Sequence, residues 1–121
     1  MFQSDLDAMI SRYDIMRHAE LYHETVAVAA MQKECDRVTA AKAADELLTL
    51  KGVSASFVFY SKDEGVYISA RSLGEINVQV IVEKMGGGGN STTAGGHLTG
   101  YTVDQVKEQL LRELDGYFEE Q

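Results

Sequence analysis

Two runs near the middle of the chain, ASFVFY (55–60) and VYISAR (66–71), constrain the fold most. Both are rich in β-branched and aromatic residues, which suit a pleated, half-buried strand. The break between them, SKDEG, is polar and ends in glycine, so the pair reads as a β-hairpin. A helix is expected on either side of it. Upstream, residues 39–51 carry Ala43, Ala44, Leu47 and Leu48 on one helical face, with Thr39 as cap and Gly52 as stop. Downstream, INVQVIVEKM (76–85) alternates β-branched residues, which also suits a strand. Helix is favoured there, because Asn77 can cap it, Ile76 and Ile81 fall at staple positions, and Gly86 can end it.

The rest of the chain extends this pattern. Leu6, Met9, Ile10, Tyr13 and Met16 recur at helical spacing, which predicts a helix over 5–22 capped by Ser4. TVAVAAM (25–31) is a short apolar run, read as a buried strand. The helix at 103–119 has the clearest signals. Thr102 and Gln105 form a capping box, Tyr101 and Val106 a staple, and Val103, Val106, Leu110, Leu114 and Tyr117 a stripe. The order is α-β-α-β-β-α, a glycine-rich loop, then α, with room for another strand near 96–101. The expected fold is α/β (α+β): a small mixed β-sheet flanked by about four helices. A chain of 121 residues fits one domain, and such a chain buries roughly two thirds of its unfolded surface. With no proline present, glycine, Asn, Asp and Ser must make the breaks.

Charge narrows the partners. The net charge of −8 argues against a general grip on long nucleic acid, which needs a basic footprint. A small anion is still allowed, because surface charge is screened over about 8 Å at physiological salt. The single cysteine, Cys35, excludes an internal disulfide and fits a reducing cytosolic setting. Its neighbours Glu34 and Asp36 disfavour the thiolate. No apolar run approaches the ~18 residues of a membrane span, and the N-terminus lacks the pattern of a signal peptide.

Residues 85–100 read MGGGGNSTTAGGHLTG. A glycine run exposes successive N–H groups and lets a ligand approach closely. Such groups can form an anion-binding nest, and a helix beginning at Asn90–Thr93 would reinforce it. The competing explanation is a plain surface loop, since neither GxGxxG nor a Gly-Lys-Ser/Thr ending is present. Arg71, at the end of its strand, can clamp phosphate or simply pair with an acid. His18 and His23 are five residues apart and His97 is distant in sequence, so no metal-ligand spacing emerges. No Ser-His-Asp arrangement or GxSxG is visible. The residues therefore offer an anion cradle without catalytic machinery.

The stretch ISARSLGEINVQVIVEKMGGGG (68–89) resembles the C-terminal, DHH-associated domain of DHH-family phosphoesterases. The likeness extends through DLDAMISRYDIMRHAELY (5–22), AADELLTLKGVSASFV (43–58) and LDGYFEEQ (114–121), and is similar to the last part of bacterial membrane-bound cyclic-di-AMP phosphodiesterases. The resemblance implies a division of labour. An upstream Asp-His-His domain would bind two manganese ions and activate water, and the C-terminal domain would grip the nucleotide. This chain has no Asp-His-His, so it is expected to be the binding half, its first 22 residues leading in from the catalytic domain. Carried over by motif, Arg71 and Ser72 would meet a phosphate or base, Gly86, Gly87, Gly88 and Gly89 would cradle phosphate, and Asn77 is a further candidate. Asn90, a further binding candidate, stands where the family has histidine; it can donate a hydrogen bond but cannot carry a positive charge or transfer a proton at neutral pH. His97 lies seven positions later, with no geometric reason in the sequence to let it substitute.

The expected partners are a nucleotide or cyclic dinucleotide, the absent catalytic domain, and a second copy in a homodimer. The domain itself would be cytoplasmic, with the whole protein anchored in the plasma membrane by helices upstream. A non-catalytic nucleotide sensor, or a phosphoesterase acting on short oligonucleotides, are the alternatives.

Overall fold

The hairpin forms as expected, and the sheet grows from it. The computed structural model describes residues 2–120, with side chains from Asp5 to Glu120. Strand β3 (Ala55–Lys62) turns back into β4 (Gly65–Ser72) through Asp63 and Glu64. Both turn residues adopt left-handed φ, 54° and 59°, as a two-residue turn matched to strand twist requires. Before them come α1 (Phe2–Arg17), β1 (Glu20–Tyr22), β2 (Val26–Met31) and α2 (Arg37–Leu47). After them come α3 (Val78–Glu83), β5 (Gly88–Gly89), β6 (Thr93–Thr99) and α4 (Val103–Glu119). The sheet order is β1-β2-β3-β4-β6-β5. Only β2 and β3 are parallel, joined by α2; every other pair is antiparallel. This is the mixed sheet with four helices that the sequence implied.

Strand alternation divides the core in two. On one face Val26, Val28, Phe57, Phe59, Val66, Ile68 and Ala70 pack with Ile81 and Val82 of α3 and Val106, Leu110 and Leu114 of α4. On the other, Ala27, Ala29, Val58 and Tyr60 pack with Ile15 of α1 and Ala40, Ala43, Ala44 and Leu47 of α2. The alanines let α2 sit close enough for buried Ser56 to donate to the Ala44 carbonyl at 2.6 Å.

Local signals located the ends of α3 and α4. The Asn77 side chain accepts from Val80 N, Ile76 and Ile81 are both buried, and Gly86 turns the chain with φ +95°. The Thr102–Gln105 capping box is complete. Other details differ from expectation. The first helix stops at Arg17, and Glu20–Tyr22 leave it to pair with β2. His23 and Glu24 take left-handed φ, 50° and 69°, which a helix cannot continue through. His23 is held there from α4, by Asp115 at 2.7 Å and by stacking on Phe118 at 4.5 Å.

The expected stripe on α1 is also largely outside: Leu6, Met9, Ile10 and Tyr13 are exposed, and Ile15 is the buried residue. The helix already runs through residue 4, and the Ser4 side chain lies outside the described residues. Helix α2 begins earlier than expected. Asp36, not Thr39, is its cap, accepting from both the amide and the hydroxyl of Thr39 at 3.2 Å. That helix ends at Leu47, and Gly52 belongs to a later turn. Finally, of the expected staple pair, Val106 is buried and Tyr101 is half exposed.

Candidate functional site: an acid-free cleft on the open face of the sheet

Helix α2 packs across β3 and onto β4 but does not cover β6, and a cleft of about 480 Å³ remains there. Its floor follows from strand alternation. In β4 the even residues Val66, Ile68 and Ala70 enter the core, so Tyr67, Ser69 and Arg71 face the opposite way. In β6 their cross-strand partners are His97, Gly95 and Thr93. Gly88 of β5 pairs in turn with Gly95. Arg37 and Ala41, one turn apart on α2, form the wall.

The cleft has a distinct charge. Arg37, Arg71 and His97 line it, and no Asp or Glu does, although the chain carries −8. Arg71 is mostly covered. Its Nε donates to Asp45 Oδ1 at 3.0 Å and its Nη1 to the Ala70 carbonyl at 2.9 Å, which fixes the guanidinium. Asp45, two turns beyond Arg37 on α2, is itself largely exposed, so it orients Arg71 from outside the cleft. Arg37 makes no ion pair among the described residues. Burial pushes the Tyr60 phenol up to about 12, and the Tyr67 phenol is raised chiefly by its hydrogen bond to Asp63. Both rings are therefore uncharged at neutral pH.

The residues singled out in the sequence divide between cleft and scaffold. Arg71, Gly88 and Gly89 line the cleft together. Ser72 is buried, and its hydroxyl accepts from Gly74 N in the turn after β4. Asn77 caps α3, and its amide donates to the Tyr117 hydroxyl. The amides of Gly86, Gly87 and Asn90 donate to Glu83, Val82 and Thr93 carbonyls. Gly87 and Gly89 are glycine because backbone lies against them: a Cβ on Gly87 would meet Gly95 O at 2.5 Å, and one on Gly89 would strike Thr93 O. Gly88 alone of these three has open space where a side chain would stand. No helix starts at Asn90–Thr93. The Asn90 carboxamide oxygen instead accepts from Thr92 N and Thr93 N, closing the turn into β6.

Sequence reasoning missed Arg37, Tyr67, Ser69 and His97. The alternation in VYISAR already placed Tyr67 and Ser69 on the face of Arg71. Arg37 and His97 carried no local signal, because only the packing of α2 and the register of β6 bring them in. Cys35 behaves as expected, though burial is the main cause, with Asp36 second; together they push its thiol up to about 11.

The class follows from the family model that matches residues 23–120: the chain belongs to the DHHA1 domain family. The resemblance read from residues 68–89 is borne out. Among curated proteins the chain is similar to the cyclic-di-AMP phosphodiesterase GdpP of Bacillus subtilis (strain 168), 42% identical over 119 residues, covering 94% of this chain and 18% of that protein. It is also similar to the cyclic-di-AMP phosphodiesterase PdeA of Listeria monocytogenes serotype 1/2a (strain 10403S), 40% identical over 119 residues, covering 96% and 18%. The chain thus spans less than a fifth of the length of these relatives. Among solved structures it is similar to an exopolyphosphatase-related protein from Bacteroides fragilis, with a TM-score of 0.73 at 19% identity, covering 88% of this chain and 34% of that one. That likeness concerns the fold.

Proposed function

We propose that this domain grips the substrate of a DHH-type phosphodiesterase that cleaves cyclic-di-AMP to a linear dinucleotide. The observation that carries the reading is the cleft: on an acidic chain, two guanidiniums and an unobstructed glycine share one concave surface with no carboxylate in its lining. The 40–42% identity to two cyclic-di-AMP phosphodiesterases supports the choice of nucleotide. Among the described residues, no group of three His, Cys, Asp or Glu could hold a metal ion. The manganese chemistry of the hydrolysis is therefore assigned to a separate DHH domain, and this chain's part is to bind and orient. Among the described residues no helix is long and apolar enough to cross a membrane, so an anchor would also lie elsewhere.

Calorimetric titration of the chain with cyclic-di-AMP and its linear product tests the reading. Binding of either is expected, and heat from neither at millimolar ligand would overturn it. In Arg71→Ala, affinity should fall roughly 10- to 150-fold, the loss of one charge-assisted hydrogen bond of about 1.5–3 kcal/mol. Stability should change by no more than about 1 kcal/mol, because the Asp45 partner is exposed.

A second reading, a non-catalytic nucleotide sensor, is favoured by Asn90, whose side chain is engaged in a turn where the family has a histidine. Joining the chain to a DHH domain and assaying manganese-dependent hydrolysis separates the two. Turnover would exclude the purely sensory role.

A further inference from the structure

At the end of the cleft away from Arg71, three rings form a row across the sheet. Tyr60 of β3, Tyr67 of β4 and His97 of β6 are successive cross-strand partners. The Tyr60 and Tyr67 centroids are 5.4 Å apart with planes within 13°; Tyr67 and His97 are 4.0 Å apart with planes within 10°. Exposure rises along the row: Tyr60 is buried, Tyr67 half-buried and His97 exposed. The stack is rigid at its inner end. Tyr60 belongs to the core, the Tyr67 hydroxyl donates to Asp63 at 3.1 Å, and His97 Nε2 lies 3.3 Å from the Lys62 carbonyl.

The outer end of the row is unfinished. Beyond β6 the neighbouring strand offers only glycines at this level: Gly88 pairs with Gly95, and Gly87 lies against Gly96. Among the described residues no ring other than Tyr67 stacks on His97, and no cation lies over it. Three near-parallel rings ending in an exposed face, inside a cationic cleft, suit a fourth flat, electron-rich ring better than a sugar or a bare anion.

We propose that His97 is the nucleobase platform of this cleft, its free imidazole face receiving a purine whose phosphate lies toward Arg71. Tyr67 and Arg71 are four residues apart on one strand, roughly 13 Å. A base on the outer face of His97 lies over the β6 side of the cleft, and a cyclic dinucleotide, longer than a single nucleotide, can reach back from there toward the Arg71 guanidinium. Arg37, which also lines the cleft, adds a cation beside the rings. The platform rests on the nucleotide reading above and names a residue outside the motif that suggested it.

The test compares ligands with and without a base. The probes are cyclic-di-AMP, a 2-aminopurine analogue of its linear product, and ribose 5-phosphate. His97→Ala should weaken cyclic-di-AMP binding roughly 5- to 150-fold, the range of base–aromatic stacking. It should leave the weak binding of ribose 5-phosphate unchanged and abolish quenching of 2-aminopurine. His97→Phe, which keeps a flat ring, should restore most of the affinity and the quenching. Unchanged cyclic-di-AMP affinity in His97→Ala, equal losses with ribose 5-phosphate, or no rescue by phenylalanine would each overturn the platform. If cyclic-di-AMP binding survives His97→Ala but falls in Arg71→Ala, the platform alone is wrong. If the unaltered chain binds no nucleotide, both readings fall.

Discussion

Strands β4 and β6 present two unlike surfaces on one backbone. Toward α3 and α4 they bury Val66, Ile68, Ala70, Ala94 and Leu98. Toward α2 they hold Tyr67, Arg71, Thr93, Gly95 and His97 around an open cleft. A shift of one residue in register would exchange the two sets, so the pairing that builds the core also assembles the cleft. The first face is closed by two helices, whereas the second is closed only as far as α2 extends. Changes on the covered face should therefore be read in stability, and changes on the open face in affinity.

The largest effect expected is on the covered side. Leu110 of α4 is fully buried, and Leu110→Ala should lower unfolding free energy by about 2–5 kcal/mol. Urea denaturation measures this; a loss below 1 kcal/mol would mean that α4 is not the lid of that core. A sharper comparison uses two adjacent glycines. Gly87→Ala places a methyl against Gly95 O and a Val82 methyl and should destabilise the domain by about 1–3 kcal/mol. Gly88→Ala meets nothing in the protein, and its methyl stands on the cleft face opposite Gly95. It should fold normally and lose nucleotide affinity severalfold by calorimetry. If both variants unfold alike, Gly88 is scaffold. The smallest effect belongs to Asn77. Asn77→Ala should cost about 1 kcal/mol by loss of the α3 cap, with nucleotide affinity unchanged. A severalfold fall in affinity at unchanged stability would return Asn77 to the site.

What was legible follows from the reach of each interaction. The hairpin at 63–64, the capping box at 102–105 and the Asn77 cap are set within a few residues, and all were read correctly. Strand β1 was not, because the turn after it, which folds it back onto β2, is held through His23 by Asp115 and Phe118, more than ninety positions away. The exposed stripe of α1 shows the same limit from the other side, since helical spacing reveals a face but not what lies against it. In the cleft, Arg71 and Gly88 stood out by residue type and local context. Arg37 and His97 did not, because helix packing and strand register bring them there. Much of the conspicuous glycine segment proved to be architecture: Gly86 turns the chain, and Gly87 and Gly89 let backbones touch.

The sheet also ends in small pieces. Its outermost strands, β1 and β5, are three and two residues long, and Glu20 on the first is tied to Lys107 of α4 at 3.2 Å. So little unpaired backbone gives a stray peptide or a second chain almost nothing to zip onto. Of the strands that floor the cleft, β4 has a neighbour on both sides, and β6 is paired with β4 along its length and with β5 at Ala94 and Gly95, so a groove that must stay uncovered to receive a ligand leaves only a short stretch of β6 open to fibril growth.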